Sequence, residues 1–277
     1  MKIGVHIEKL KEAKMMSTKV ENINQKIQFL TKSGIRLHIL NILSKNPQNI
    51  KELVNTTQIT YSTLSSNLHK LQQEKYIQKI KNKYYLTQTT KMYLNIILEF
   101  KNAIKLINQF DEFWDKHDVK QINLDSLKNI TSLHDSQLIK TTPIDIYKTH
   151  NTIKGQLLMS YNIKAIFPYL HPDYPVIVEQ VLQKGGNVEL IINDEIFESL
   201  MDNIETEIKK KSIGNGCLKV HELKENLNLY LIISDKNTNL GLFKSDGSFD
   251  QNRLLTSENQ QAIKWANNLF ENVKANW

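Results

Sequence analysis

The spacing of apolar residues between positions 33 and 90 constrains the fold of this chain more than any other feature. Apolar residues recur at helical spacing from Ile35 to Leu43, and Pro47 ends that segment because proline disfavours helix in the residue before it. Asn49 followed by Glu52 is a variant of the capping box, in which each side chain bonds the backbone N–H of the other residue. The sequence therefore predicts one helix before the proline and a second, short helix after it.

A third helix and a hairpin are predicted to follow. The segment from about Thr60 to Glu74 has its apolar residues spaced by three or four positions, as on one stripe of a helix. That stripe consists of Tyr61, Leu64, Leu68 and Leu71. Two short β-rich runs, Tyr76 to Ile80 and Tyr84 to Thr87, then flank a polar tip. Three helices followed by a basic hairpin indicate a winged helix-turn-helix.

The positive charge of the chain is concentrated in its first half. Residues 1–130 hold 21 Lys and Arg against 11 Asp and Glu, a net charge of +10, whereas residues 131–277 hold 15 against 18, a net charge of −3. A basic segment attracts phosphate backbones or anionic membrane surfaces. A surface for such a partner is therefore expected in the first half.

Membrane and secretory signals are not found in the sequence. No apolar run approaches the roughly 20 residues of a membrane span, and residues 1–14 carry scattered charges where a signal peptide needs an apolar stretch. Cys217 is the single cysteine, which suits a reducing compartment, and we expect it to be a buried small hydrophobe. These features predict a cytoplasmic protein with no membrane contact.

The third helix and the wing carry the candidate DNA-binding residues. In a helix-turn-helix the third helix lies in the major groove and the wing reaches the neighbouring phosphates. Between Thr60 and Lys91 six lysines face one acidic residue, and Asn67 is the residue type that binds adenine through two hydrogen bonds. The candidates are Thr60, Ser62, Thr63, Ser66, Asn67, Lys70, Lys79, Lys81 and Lys83. A polar helix face that is merely solvated is the alternative.

A long apolar helix is predicted from about Thr89 to Asp115. It is too long and too apolar for the small winged domain alone, so we expect it to pack on a partner chain or on the second half. One winged domain also offers few base contacts, which favours a homodimer on an inverted repeat of double-stranded DNA. The expected organisation is an N-terminal helical extension (1–32), the winged domain (33–90), a helical linker for dimerisation (91–130) and an α/β regulatory domain (131–277).

The second half has the pattern of an α/β domain, which makes the whole chain α+β. Apolar runs predict five strands, at residues 163–167, 188–192, 218–220, 229–233 and 240–243. Helices are predicted at residues 175–184, 194–211 and 256–273, the last capped by Ser257 with Gln260. Gly185-Gly186 is predicted to end a helix and lead into a strand.

Two sets of sequence stretches carry a family resemblance. Residues 33–90 resemble the winged helix-turn-helix of archaeal and bacterial ArsR-like regulators, and the rest resembles the archaeal methanogenesis-regulator family, in which an α/β regulatory domain follows. The first set is Ser-Gly-Ile-Arg (33–36), Tyr-Ser-Thr-Leu-Ser-Ser-Asn-Leu-His-Lys-Leu (61–71) and Tyr-Tyr-Leu-Thr (84–87). The second is Phe-Trp-Asp-Lys-His-Asp (113–118), His-Pro-Asp-Tyr-Pro (171–175), Gly-Leu-Phe-Lys-Ser-Asp-Gly-Ser-Phe-Asp (241–250) and Ala-Ile-Lys-Trp-Ala-Asn-Asn-Leu-Phe (262–270). The resemblance implies a transcription regulator of a methanogenic archaeon.

Three positions depart from the pattern of these families. Lys75 replaces the glycine usual between recognition helix and wing, so it must accept or avoid a left-handed backbone at some cost. Thr90 replaces the glycine usual after Leu-Thr, and Phe249 replaces a tyrosine. The departures bear on the placement of the wing and on any hydroxyl role at position 249.

An enzyme is the alternative function, because the second domain of this family distantly resembles half of a phospholipase D module. That chemistry needs His-x-Lys-x4-Asp, and with Asp235 at the aspartate the other positions are Asn228 and Tyr230. His221 and Lys224 have the wrong spacing and are interpreted as surface residues. We therefore predict no catalytic residue, against the alternative of a phosphodiesterase or nuclease-like enzyme targeted by the winged domain. A winged domain that binds another protein is a third, weaker alternative.

The second domain is instead expected to sense a small-molecule effector or to dimerise. Its candidate ligand-binding residues are Tyr230, Asp235 and Asp246, near the predicted strand ends, where open α/β sheets bind ligands. His171 is interpreted as a turn or capping residue, and no group of His, Cys, Asp and Glu has the spacing of a metal site. We predict no metal and no cofactor.

Overall fold

The computed structural model describes residues 20–223 and 227–276. The chain divides into two compact units, the first ending at Lys101 and the second beginning at Asn102. The signal-peptide argument on residues 1–14, most of the predicted N-terminal extension, and Lys224 lie outside the described residues. The domain boundaries predicted at positions 32, 90 and 130 stay a prediction.

The first unit is a set of helices followed by an antiparallel hairpin. Its elements are α1 (residues 20–31), α2 (Gly34–Lys45), α3 (Ile50–Thr57), α4 (Tyr61–Gln73), β1 (Ile77–Ile80), β2 (Lys83–Leu86) and the first part of α5 (Gln88–Gln109). Ile77 pairs with Leu86 and Ile80 with Lys83 in the hairpin. The predicted order of three helices and a hairpin is confirmed, with boundaries within about two residues except for the end of the long helix.

Local capping bonds set where the short helices begin. Asn49 Oδ1 accepts from the backbone N–H of Glu52 at 3.0 Å, and Glu52 Oε2 accepts from the N–H of Asn49 at 2.8 Å, which confirms the predicted capping box. Leu64, Leu68 and Leu71 are fully buried, as the stripe predicts. The prediction was wrong for Tyr61, which is 59% exposed at the first residue of α4.

The long predicted helix is interrupted. Helix α5 ends at Gln109, Phe110 leaves helical geometry with φ −120° and ψ 30°, and the short α6 (Asp111–Trp114) follows. Phe110 and Phe113 are both buried in the second unit. The apolar spacing therefore predicted the burial of Phe110 and Phe113 correctly, but it did not predict the break in the helix.

The second unit is built on a mixed eight-stranded sheet. Its strands are β3 (His117–Asp118), β4 (Gln137–Lys140), β5 (Asn162–Ile166), β6 (Asn187–Asn193), β7 (Leu218–Leu223), β8 (Leu229–Ser234), β9 (Thr238–Lys244) and β10 (Arg253–Ser257). The order is β4-β10-β9-β8-β5-β6-β7, with β3 paired to β9. Strands β5, β6 and β7 are parallel, and the other pairs are antiparallel.

Helices cover both faces of this sheet. They are α7 (Leu124–Lys128), a 3-10 turn (Ile130–Leu133), α8 (Lys148–Leu158), α9 (Tyr174–Gln183), α10 (Asp194–Asp202), α11 (Thr206–Gly214) and α12 (Gln260–Ala275). Along β8, Leu229 and Leu231 belong to one buried cluster and Tyr230 and Ile232 to the other. A strand buried on both faces has a continuous apolar sequence, which is why the run at 229–233 was recognisable.

Other expectations for this unit need correction. The predicted helix 194–211 is two helices. Four elements were not predicted because the sequence has no clear apolar run there: β3, β4, β10 and α8. Asn259, not Ser257, caps α12 by accepting from the N–H of Gln261. Cys217 is half-buried rather than buried. Gly185, with φ +78°, ends α9 in the left-handed region, as predicted.

Candidate nucleic-acid interface and ligand cavity

The polar side chains of α4 form one exposed face of the first unit. Ser62, Ser66 and Lys70, spaced by four residues, are exposed. Thr60 precedes the helix, and its Oγ1 donates to Thr63 Oγ1 at 2.9 Å. Residues at this spacing lie on one face of a helix, so their hydroxyl and ammonium groups are presented together.

Asn67 is bonded within the helix. Its Nδ2 donates to the carbonyl of Thr63 at 2.8 Å, and the side chain is partly buried. A two-bond contact with adenine needs both the oxygen and the nitrogen of the amide. The Asn67 amide must therefore turn away from Thr63 to make it.

The hairpin presents its three lysines to solvent. Lys81 lies at the tip with φ +55°, Lys79 Nζ is 5.4 Å from the centroid of the Tyr84 ring, and Lys83 Nζ is 4.0 Å from Glu52 Oε1. These contacts leave the ammonium groups largely free to meet phosphates, because an exposed ion pair at that distance is worth little.

Sequence reasoning did not name several other exposed residues of α4. Tyr61, Ser65 and His69 are exposed beside the predicted residues. Tyr61 fits the apolar spacing and was therefore assigned to the core. Its position at the first helical residue, where little chain precedes it to pack against, was the available signal.

A second exposed face, on α5, is apolar. Met92, Ile96 and Phe100 are 65%, 66% and 63% exposed, and Ile104 and Ile107 continue the same side of the helix. Clustered exposed side chains of this size mark an interaction surface. No helix in the described ranges, 20–223 and 227–276, is long and apolar enough to cross a membrane.

The second unit contains a cavity of about 250 Å³ with aromatic walls. The Tyr230 ring stacks on Tyr169 with centroids 5.8 Å apart, and the Phe249 ring lies 5.2 Å from that of Tyr230. Gly241 lies close under these rings, since a Cβ there would lie 3.0 Å from the Phe249 ring and would require the ring to shift slightly. Tyr230 thus lies at the cavity, whereas the other two predicted ligand residues do not.

The hydroxyl of Tyr230 is bonded inside the protein. It lies 2.6 Å from the hydroxyl of Tyr174, and burial raises the pKa of both phenols well above the ordinary value. Asp235 accepts from the backbone N–H of Asn162 at 2.9 Å, and Asp246 accepts from the N–H of Ser248 at 2.9 Å. Asp235 therefore ties the connection after β8 to the start of β5, and Asp246 stabilises its own turn.

Asp250 is at the centre of a buried polar network beside the cavity. Its carboxylate accepts from His117 Nε2 at 3.0 Å and from Arg253 Nη1 at 2.9 Å, while Arg253 Nη2 donates to Glu112 at 3.0 Å. Burial alone would raise the pKa of Asp250, but the bonds from Arg253, the Asn252 backbone and His117 hold it below the ordinary value. The carboxylate is stabilised in its charged form.

Two histidines and an aspartate meet at the rim of the cavity. His150 Nε2 is 3.0 Å from Asp173 Oδ2, and the His150 and His171 rings are stacked with centroids 3.5 Å apart. His171 Nδ1 accepts from the Asp173 backbone N–H, the turn role that the sequence predicted for His171. The expectation of no metal-ligating group overlooked this set, because its members come from separate segments of the chain.

The comparisons with known proteins agree with this two-unit architecture. Residues 146–276 match the family model described as the middle domain of methanogenesis regulatory protein FilR1, and residues 24–109 match the HVO_A0261 N-terminal domain. The chain is 22% identical over 250 residues, 89% of its length, to methanogenesis regulatory protein FilR1 of Methanothrix harundinacea (strain 6Ac). The two family matches fall mainly on the helical unit with its wing-like hairpin and on the mixed-sheet unit. The chain is therefore similar to the FilR1 methanogenesis regulatory protein family.

The chain spans 56% of the length of that relative. Among solved structures, it is similar to TrmBL2, an archaeal chromatin protein whose structure shows a novel mode of DNA binding, with 11% identity and a TM-score of 0.40 over 92% of this chain and 98% of that one. A polyphosphate kinase from Porphyromonas gingivalis has 10% identity and a TM-score of 0.36 over 50% of this chain and 26% of that one. Both structural similarities are too low to support an argument about function.

Proposed function

We propose that the chain is a sequence-specific DNA-binding transcription regulator that acts as a homodimer in the cytoplasm. The first unit is then a winged helix-turn-helix, with α4 as the recognition helix and the hairpin as the wing. One observation carries the proposal: α4 has an exposed polar face, and the hairpin that follows it has three exposed lysines. A helix of this kind fits the major groove, and the lysines fit the phosphates beside it.

The base-reading groups are the hydroxyls and the amide of α4. Ser62, Thr63 and Ser66 can bond either bases or phosphates, and Asn67 can bind adenine once its amide turns. Lys70 on the helix and Lys79, Lys81 and Lys83 on the wing supply the salt-dependent part of the affinity. Tyr61 and His69 join them as further contact residues because they are exposed on the same helix.

The apolar face of α5 is proposed to pair with a second copy of the chain. Its exposed residues Met92, Ile96 and Phe100 are spaced by four, as a helix needs to pack along another helix. A twofold dimer would place two recognition helices about one DNA turn, roughly 34 Å, apart or a multiple of that. Two half-sites supply the specificity that one small domain lacks.

The second unit is proposed to sense a small molecule rather than to cleave phosphodiesters. In the His-x-Lys pattern of such enzymes, Tyr230 holds the lysine position, and its hydroxyl is buried against Tyr174. The relative named above is a regulatory protein. The aromatic cavity is the place for an effector, because apolar walls with a few polar groups are typical of ligand sites.

Salt-dependent binding to an operator found by genomic footprinting tests the proposal. With four lysines from each of two subunits, about eight phosphates are neutralised, and log K should fall against log salt with a slope of about −7. Changing Lys79, Lys81 and Lys83 together to Ala should reduce the slope to about −2. The matched control changes Lys210, Lys211 and Lys219 of the second unit to Ala. Salt-independent affinity, or an equal effect of both triple variants, would contradict the proposal.

A further inference from the structure

We propose that His150, His171 and Asp173 form a binding site for one divalent transition-metal ion of the zinc, cobalt or nickel class. The site is independent of the DNA-binding surface, since all three residues belong to the second unit. His150 lies in the first turn of α8, and His171 and Asp173 lie in the segment that joins β5 to α9. The parallel strand β5 brings this segment to its carboxyl end, where α/β sheets place ligand sites.

The donor atoms have the spacing that one ion requires. One ligand atom from each residue lies within 4.8 Å of the others, and His150 Nε2 is 3.0 Å from Asp173 Oδ2. Nitrogen and oxygen donors bound to one zinc ion at about 2.0–2.2 Å lie about 3 Å apart. The His150–Asp173 pair is close to this spacing, and the His171 donor lies within 4.8 Å of both.

The two imidazole rings lie side by side and must spread apart to share one ion. Their planes are 20° from parallel with centroids 3.5 Å apart, closer than the roughly 5 Å expected for two imidazoles on one tetrahedral ion. His171 Nδ1 accepts from the Asp173 N–H at 3.1 Å, so metal binding through Nε2 would keep this bond and binding through Nδ1 would break it.

The nature of the ligands selects the class of ion. Imidazole nitrogen prefers zinc, nickel, cobalt and copper, whereas calcium and magnesium prefer an all-oxygen set. Three protein ligands leave at least one coordination position for water or for an occupant of the aromatic cavity, which His150 and His171 also line. Such a position would let the ion anchor a small molecule in the cavity.

Lys154 competes with the ion for Asp173. Its Nζ lies 2.7 Å from Asp173 Oδ2, and the hydrogen bonds from Lys154 and His150 lower the pKa of that carboxyl to about 2. The Lys154 side chain is 42% exposed on a flexible stem, so it can leave when an ion arrives. Removing the lysine should therefore strengthen metal binding, whereas it would weaken an anion site at the same place.

Calorimetric titration of the metal-free full-length chain with Zn²⁺, and the visible absorption of added Co²⁺, test the site. The unaltered chain should bind one equivalent, and His150→Gln and Asp173→Asn should each weaken binding by more than the roughly 10- to 100-fold that loss of an outer-shell partner costs. Lys154→Met should tighten it. The control is His134→Gln with Asp135→Asn, an exposed pair at 3.1 Å, which should change nothing.

Thermal unfolding of each variant separates loss of ligands from loss of fold. Asp173→Asn keeps the size of the side chain at the start of α9, so it remains informative if His150→Gln is unstable. Absence of an equivalent of bound metal in the unaltered chain would overturn the proposal. So would equal binding by the ligand variants, or weaker binding by Lys154→Met, which would indicate an anion site.

Discussion

The two units of this chain expose their candidate sites in opposite ways. In the first unit every candidate DNA contact lies between Thr60 and Lys83, on one helix and the hairpin after it, and most are exposed. In the second, the cavity is made by residues as distant in the chain as Tyr147 and Leu254, and its central ring, Tyr230, is fully buried. One site is a surface built from residues close in the chain, and the other is a cavity whose walls come from distant segments.

This contrast predicts which substitutions each unit tolerates. An exposed side chain on α4 can change without loss of packing, so effects there should appear in DNA binding and not in stability. A residue in the second unit serves the cavity and the core together, since Tyr230 and Phe249 also pack in the buried cluster. Effects there should appear first in stability.

The largest expected effect tests whether the exposed apolar face of the first unit is used. Phe100→Asp introduces a charge where we propose a second copy packs, so dimers should dissociate. Operator affinity should then fall toward the non-specific level, which lies about 4–10 kcal/mol weaker for DNA-binding proteins. Sedimentation and operator titration measure the two effects.

Asn95→Asp is the matched control, since it adds the same charge at an exposed polar position of α5. It should leave assembly unchanged. A Phe100→Asp chain that remains dimeric and binds normally would show that this face has another use.

The second prediction tests whether the second unit depends on its buried network. Asp250→Asn removes the charge that faces Arg253 and His117, and loss of one partner of a buried ion pair costs about 3–5 kcal/mol. Every tryptophan of the chain lies in this unit, so the fluorescence change in denaturant reports its unfolding. Asp246→Asn, an exposed aspartate of the same loop, is the control and should have little effect.

The dependence of stability on pH is a second test of the same network. The pKa of Asp250 is lower in the folded chain than its ordinary value of 3.8, so folding favours the charged form. Its contribution is complete above that value and is lost as the pH falls through the folded pKa. The unaltered chain should therefore lose stability below about pH 4 more steeply than Asp250→Asn. Parallel curves would contradict the role of the charge.

The contrast between the units also explains how much the sequence could predict. Helix period, the Asn49–Glu52 capping box and the hairpin depend on residues close in the chain, so the first unit was predicted nearly in full. Strand β10 was missed because it holds only two apolar residues, Leu254 and Leu255, and its pairing with β4 and β9 makes it a strand. His150 and Asp173 meet through the packing of α8 on α9, which no spacing in the sequence shows.

The third prediction concerns base recognition by α4. Asn67→Ala should cost about 1–3 kcal/mol on the cognate operator and much less on random DNA, because a base contact is lost only where the base is present. Asn55→Ala, at an exposed position of α3, is the control. Equal losses on both DNAs would mean that Asn67 serves only its hydrogen bond to Thr63 within the helix.

The smallest effect concerns the turn between recognition helix and wing. Lys75, at the position where the sequence left open whether a left-handed backbone is accepted or avoided, adopts φ +60° and so accepts it. A residue with a side chain in that conformation destabilises the fold by about 1–2 kcal/mol. Glycine avoids this strain but loses about 0.5–1 kcal/mol of stability, because its unfolded chain has more conformational entropy. Lys75→Gly should therefore stabilise the first unit by about 0.5–1 kcal/mol.

Hydrogen exchange of the amides in α4 and the hairpin measures this change within the intact chain. Lys75→Ala is the control, since it removes the same charge and stem but keeps the strained backbone, and it should give no gain. Lys79→Gly should destabilise, because a strand residue gains nothing from glycine. If Lys75→Ala gained as much stability as Lys75→Gly, the cost in the unaltered chain would come from the lysine side chain and not from the backbone conformation. Lys75 would then be unfavourable as one exposed cation among the six that follow Thr60.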